Sequence, residues 1–333
     1  MEKAGVDYAV FTGAEPNPKI RNVQAGKKMY QDENCDSIIT VGGGSAHDCG
    51  KGIGIVLTNG DDISKLAGIE TLKNPLPPLM AVNTTAGTGS ELTRHAVITN
   101  EKTHLKFVVV SWRNIPLVSF NDPMLMLDIP KNITAATGCD AFVQAIEPYV
   151  SVDHNPITDS QCKEAIQLIQ TALPEVVANG HNIEARTKMV EAEMLAGMAF
   201  NNANLGYVHA MAHQLGGQYD APHGVCCALL LTTVEEYNLI ACPERFAELA
   251  KVMGFDTTGL TLYEAAQKSI DGMREMCRLV GIPSSIKEIG AKPEDFEMMA
   301  KNALKDGNAF SNPRKGTVED IVKLYQKAYD GIY

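Results

Sequence analysis

Three histidines fall within fifteen residues of the segment "YVHAMAHQLGGQYDAPHG", Tyr207 to Gly224. His209 and His213 are four apart, so on a helix they share one face. Gly216 and Gly217 are expected to break that helix. Pro222 then precedes His223, where a second apolar helix begins. A helix, a turn and a returning helix would carry His223 back toward His209. Imidazole nitrogens converging in this way are the commonest ligands of divalent metals. The bland alternative is that each histidine fills or caps its own local site. A divalent site would also take a carboxylate. The upstream candidate is Asp140 in "TAATGCDAFVQAIEPYVS", while Glu147 is expected to be solvated or capping.

A second constellation lies near the start of the chain. "DSIITVGGGSAHDCGKG" (Asp36 to Gly52) reads as a strand, a triple glycine and a helix. Glycine lets the backbone approach a ligand closely. A helix N-terminus with free N–H groups favours a phosphate. The spacing fits neither G-x-G-x-x-G nor a P-loop, so a plain tight turn explains this loop equally well by itself. "AVNTTAGTGSE" (Ala81 to Glu91) repeats the pattern after another apolar strand. Two such loops at neighbouring strand ends would cradle a diphosphate.

These residues must be positioned by larger elements, and two textures are visible. "DYAVF", "DSIITV", "PLMAVN" and "LKFVVVS" read as buried strands, with helices "NVQAGKKMYQDE" and "AHDCGKGIGIVLT" between them. This βαβ alternation predicts a mostly parallel sheet over residues 1–130. Apolar residues then recur at helical spacing, as in "ITDSQCKEAIQLIQTALPEVV" and "ARTKMVEAEMLAGMAFNNA", which predicts an all-helical domain over 131–333. Thr158 and Asp159 are candidates to cap the first of these helices. A cleft between two such domains is a common ligand site. "MEKAGV" reads as the tail of a helix, as though a first strand preceded it.

The chain has 333 residues, 45% of them hydrophobic, and a formal charge of −11. That acidity argues against nucleic acid or an anionic membrane as partner. The eight cysteines form no C-x-x-C pair and read as reduced thiols of a cytoplasmic protein. No uninterrupted apolar run approaches membrane-spanning length.

The loops, "NTTAGTGSE", "TAATGCDA" and "GYVHAMAHQLGG…PHGV" together resemble the iron-containing (group III) alcohol dehydrogenases, over essentially the whole chain. "AEPNPK", "AGIETLKNPLPP", "VSWRN" and "LKDGNAFSNPRKG" look closest to members acting on 1,3-propanediol. The resemblance implies a Rossmann-like α/β dinucleotide-binding domain and an all-α domain, the dehydroquinate synthase-like arrangement. It implies hydride transfer between NAD(H) and a small alcohol or aldehyde such as 3-hydroxypropanal. It implies a divalent metal, usually Fe²⁺ with Zn²⁺ an alternative, and a homo-oligomer. Residue by residue, Asp140, His209 and His223 match metal ligands, and His213 matches a proton relay. Gly43, Gly44, Ser45 and Asp48 match the dinucleotide loop. Thr84, Thr85 and Thr88 match contacts to adenine and phosphate, and Lys106 a lysine near the nicotinamide ribose.

Three departures qualify it. The family's carboxylate ligand is followed four residues later by a histidine ligand, and here that position is Gln144, a neutral and weaker donor. "TTVEEYN" (Thr232 to Asn238) replaces a "PHV"-like segment, and Cys226, Cys227 and Pro148 are unusual. The family's first strand, which carries the acidic residue that separates NAD from NADP, would precede Met1, leaving packed edges uncovered. The competing expectations are a nucleotide-binding homologue impaired at Gln144, or a zinc-using relative of glycerol dehydrogenase or dehydroquinate synthase.

Overall fold

Hydrophobic periodicity of two kinds sorts the chain into two compact units. In the computed structural model, which describes residues 3, 5–103 and 105–332, these are Met1–Thr84 with Ser90–Asn121, and Thr85–Gly89 with Asp122–Tyr333. The first unit runs α1 (Ile20–Asp32), β1 (Ile38–Gly42), α2 (Gly44–Thr58), β2 (Gly68–Ile69), β3 (Leu79–Asn83), β4 (His95–Asn100), β5 (Leu105–Val110) and β6 (Val118–Phe120). Its strands form two three-stranded sheets among the described residues. One has the order β1-β3-β6 and is wholly parallel, with Ile38 opposite Leu79 and Gly42 opposite Asn83. The other has the order β2-β5-β4, parallel between β2 and β5 and antiparallel between β4 and β5.

α2 packs onto β1 at glycine. A Cβ on Gly50 would lie 2.1 Å from Thr40 Cγ2, so the helix could not come this close with any side chain there. The core of this unit gathers Val23, Ile55, Val56, Ile63, Ala96, Ile98 and Val109.

Two expectations for this unit need correction. "DYAVF" enters neither sheet, and Val6, Tyr8 and Val10 are exposed. A β-prone stretch becomes a strand only when a neighbour accepts its ladder hydrogen bonds. "LKFVVVS" is a strand, but it pairs in the mixed sheet. The helix tail expected in "MEKAGV" falls largely on Met1, Glu2 and Ala4, outside the described residues.

The second unit is helical: α3 (Lys131–Val150), α4 (Pro156–Ala178), α5 (Ile183–Ala203), α6 (Tyr207–Tyr219), α7 (His223–Asn238), α8 (Pro243–Val252), α9 (Leu262–Leu279), α10 (Phe296–Ala303) and α11 (Val318–Asp330). α3 is buried at every position from Gly138 to Val150, and most of α7 is buried too. Helices apolar on all sides belong in the middle of a core. With its short extension, His223–Ala241 is long and apolar enough to cross a membrane, and 67% of that window is buried inside the fold. Central packing accounts for that apolarity. The cap of α4 is Asn155, whose Oδ1 accepts from the Ile157 and Thr158 N–H groups. Thr158 is instead the reciprocal member of that capping box, and Asp159 lies in the first turn.

Candidate metal centre and dinucleotide loops

α3, α6 and α7 converge on one buried cluster. α3 presents Asp140 and, one turn on, Gln144. α6 presents His209 and His213, and α7 presents His223 and Cys227. The glycines expected to end α6 do not; the helix runs through Gly216 and Gly217 to Tyr219. Glycine costs a helix about 1 kcal/mol, and packing overrides that here. Asp220 ends it in the left-handed conformation (φ 52°), Pro222 is the N-cap of α7, and His223 is its first residue. α7 can lie close on α3 because residue 224 is glycine. A Cβ there would stand 2.1 Å from the Ala136 carbonyl oxygen.

Asp140 Oδ1 lies 3.6 Å from His209 Nε2 and 3.6 Å from His223 Nε2. Cys227 Sγ lies 3.7 Å from His223 Nε2. One donor atom from each of Asp140, His209, His223 and Cys227 falls within 4.8 Å of all the others. The two oxygen–nitrogen spacings exceed hydrogen-bond length, while Cys227 Sγ and His223 Nε2 are within reach of a weak sulfur hydrogen bond. Accordingly both Asp140 carboxylate oxygens and His209 Nε2 are buried with no hydrogen-bond partner. An unpartnered buried carboxylate is costly, and a cation among these donors would satisfy all three atoms. The residues therefore fit a divalent metal.

The electrostatics agree. Burial pushes the Asp140 carboxyl up, but His223 and His209 outweigh it, and its pKa ends below the ordinary value. Burial works against charge on His209, yet Cys227, Glu147 and Asp140 hold its pKa well above the usual imidazole range. The Cys227 thiol is pushed up to about 12 by burial.

Glu147, expected to be solvated or capping, is 1% exposed and receives an N–H from the first turn of α6. Its Oε1 accepts the Val208 N–H at 2.7 Å, and its Oε2 pairs with His209 Nδ1 at 2.5 Å. A proton on Nδ1 leaves the Nε2 lone pair aimed at the cluster, the usual carboxylate–histidine support of a metal ligand. Glu147 lies seven residues after Asp140 on α3, which is the spacing that could have revealed it. Cys227 lies four after His223, an equally legible signal. Asp306 had none: its Oδ2 pairs with His213 Nδ1 at 2.8 Å from a distant loop. The His213 ring stacks on His223 with centroids 5.6 Å apart, beside the cluster rather than in it. Gln144 donates from Nε2 to the Thr88 carbonyl at 3.4 Å, and its buried Oε1 has no hydrogen-bond partner.

The two glycine-rich loops leave adjacent parallel strands, β1 and β3, and the Thr84 N–H donates to the Gly42 carbonyl at 2.9 Å. Gly43 is the N-cap of α2, with Gly44 and Ser45 in its first turn and no side-chain cap. Asp48 accepts the Ser90 hydroxyl at 2.7 Å, and burial raises its pKa. Lys106 on β5 donates to Asn17 Oδ1 at 2.8 Å. Thr85 and Thr88 belong to the short stretch Thr85–Gly89 that joins the helical unit. That stretch is seated by the Gly89 N–H on Glu193 Oε1 at 2.7 Å and by Gly87 against Thr137.

Models of known families match both parts of the chain. Residues 1–123 match the iron-containing alcohol dehydrogenase model, and residues 134–329 match the C-terminal model of the same family. The chain belongs to the iron-containing alcohol dehydrogenase family. Among its relatives, the 1,3-propanediol dehydrogenase of Citrobacter freundii is 57% identical, the match covering 99% of this chain and 85% of that protein. The solved alcohol dehydrogenase from Oenococcus oeni is 78% identical with a TM-score of 0.96, covering 98% of this chain and 86% of that one. A sulfoacetaldehyde reductase from Bifidobacterium kashiwanohense, solved in complex with NAD+, is 32% identical with a TM-score of 0.84, covering 96% and 83%. This alcohol dehydrogenase thus joins an α/β unit to a helical unit that carries the cluster.

Proposed function

We propose that this alcohol dehydrogenase moves hydride between NAD(H) and a small alcohol or aldehyde, with 1,3-propanediol and 3-hydroxypropanal as the first pair to test. Asp140, His209 and His223 would hold a divalent metal, Fe²⁺ or Zn²⁺, with Gln144 at most a weak neutral donor. The observation that carries this reading is the unpartnered state of both Asp140 oxygens and His209 Nε2 inside a buried cluster. The diol dehydrogenase relative supports the substrate class.

When bound, the metal supplies a Lewis acid for the substrate oxygen, and the nicotinamide supplies the hydride chemistry. The protein does the rest. Asp140 contributes the negative charge of the site. Glu147 fixes His209 in the tautomer that presents Nε2. Asp306 does the same for His213, so His213 Nε2 is the atom that takes or returns the alcohol proton. Gly43, Gly44 and Ser45 would offer the N-terminal N–H groups of α2 to a diphosphate, with Asp48, Thr84, Thr85, Thr88 and Lys106 contributing to the same cofactor. The acidic charge and the eight free cysteines support a cytoplasmic protein without nucleic-acid or membrane partners, and a homo-oligomer is the family expectation. The impaired-homologue alternative has no positive support from the relatives named above.

The test is metal analysis and turnover on protein purified without oxygen or chelator. Near-stoichiometric iron or zinc is expected, with NADH oxidation that prefers 3-hydroxypropanal over propanal, and with glycerol failing to drive NAD⁺ reduction. Asp140→Ala should empty the site and lower kcat/KM at least about 100-fold, since the metal contributes several kcal/mol to the transition state. An empty site after anaerobic Fe²⁺ or Zn²⁺ addition, with the cofactor still bound, would remove the metal-dependent reading.

A further inference from the structure

We infer that Cys227 is a fourth protein ligand of this centre, so that Asp140, His209, His223 and Cys227 form a thiolate site that favours Zn²⁺ over Fe²⁺. The inference rests on the metal reading above and goes beyond it in naming the sulfur and the metal it selects.

Its first support is geometric. In a tetrahedral site with metal–nitrogen bonds of about 2.1 Å and metal–sulfur bonds of about 2.3 Å, neighbouring donors are about 3.3 to 3.6 Å apart. The observed separations are 3.6 Å for each histidine Nε2 to Asp140 Oδ1. The separation from Sγ to His223 Nε2 is 3.7 Å. The second support is the setting of the sulfur. A buried cysteine usually behaves as a small hydrophobe, yet Cys227 Sγ is surrounded by donors of Asp140, His209 and His223. Its neighbour Cys226 is equally buried and takes no part in the cluster. The third support is chemical: Gln144, whose buried Oε1 also has no hydrogen-bond partner, offers only a neutral amide oxygen.

Charge and softness then favour the sulfur. Asp140 and a Cys227 thiolate together neutralise a divalent ion, which an amide does not. Thiolate also selects zinc among the ions that two imidazoles and a carboxylate could hold, and zinc outranks Fe²⁺ in intrinsic affinity. The step is a simple exchange: the S–H bond breaks, its proton leaves to solvent, and the Sγ–metal bond forms with no change of oxidation state.

Co²⁺ reports this directly, because a thiolate ligand adds a near-ultraviolet sulfur-to-cobalt charge-transfer band to the visible d–d bands. The full-length protein, stripped of metal and titrated anaerobically with Co²⁺, should show that band saturating at one equivalent. Cys227→Ser should lose the charge-transfer band, keep the d–d bands and weaken Zn²⁺ binding on the order of 100-fold or more. Cys226→Ser and Gln144→Ala should keep the band. One bound Co²⁺ with d–d bands and no charge-transfer band in the unmodified protein would overturn the assignment of Cys227 while leaving the metal site standing. No Co²⁺ or Zn²⁺ binding at all would overturn both.

Discussion

Glu147 touches no candidate donor position except through His209, yet it decides which ring nitrogen that histidine presents. Its carboxylate holds both the Val208 N–H and His209 Nδ1 inside the core. Glu235 on α7 is buried close by, and burial together with the Glu147 charge pushes its pKa well up. Removing that charge while keeping the shape should weaken the centre without emptying it. Glu147→Gln is expected to lower metal affinity by about 10- to 100-fold, the usual effect of losing a ligand's supporting partner. Competition titration against a chelator would measure it, and an unchanged affinity would mean that Glu147 serves only the packing of α3 on α6. His213 and Asp306 repeat the arrangement, with the Asp306 carboxylate on His213 Nδ1.

At the scale of elements, the centre depends on how closely α7 approaches α3. Gly224 sets that distance, since a Cβ there would meet the Ala136 carbonyl carbon at 2.7 Å and its oxygen at 2.1 Å. Neither is the flexible end of a side chain, so the helices must separate. His223 and Cys227 ride on α7, and Asp140 rides on α3. Gly224→Ala should therefore cost stability by roughly 1–3 kcal/mol, as overpacking of a core does, and should also weaken metal binding. Urea unfolding and a metal titration on the same variant test both. A destabilised variant that binds metal as before would show that the donors are held by their side chains rather than by the helix spacing. The seat of Thr85–Gly89 on α3 and α5 is a similar device, with Gly87 against Thr137 and Gly89 tied to Glu193.

For the molecule as a whole, the cluster lies in the largest core, among the residues that α3, α6 and α7 share. Without an ion, only the neighbouring histidines offset the Asp140 charge there, against the desolvation cost of burying it. Binding of an ion should appear as global stability of the helical unit. At a free metal concentration of about 100 times Kd, ligand linkage adds about 2.7 kcal/mol. For a unit of about 200 residues that corresponds to a rise in Tm of roughly 5 to 10 °C. Calorimetry of the zinc-loaded and chelator-treated protein checks this, and coincident transitions would count against an ion in this core.

Much of this was legible in order along the chain. The 3.6-residue recurrence after Ile133 marks the helices, and the triple glycine marks the β1–α2 turn. The spacing of His209 and His213, with His223 beyond a turn, marks where the three rings gather. Each of these signals is local, because helix faces, turn chemistry and strand alternation are written within a few residues. Cys227 and Glu147 were equally within reach, at four residues from His223 and seven from Asp140. The remainder depended on partners far away in sequence. "DYAVF" has the composition of a strand but enters no sheet, "LKFVVVS" found an antiparallel neighbour, and Gly216–Gly217 stayed helical under packing. Asp306 reaches His213 across 93 residues, and Thr85–Gly89 leaves the α/β unit for the helical one. Composition and periodicity state which faces are apolar and which residues can do chemistry. Which buried charge meets which donor is decided by helix approach and burial, and those exist only once the chain has folded.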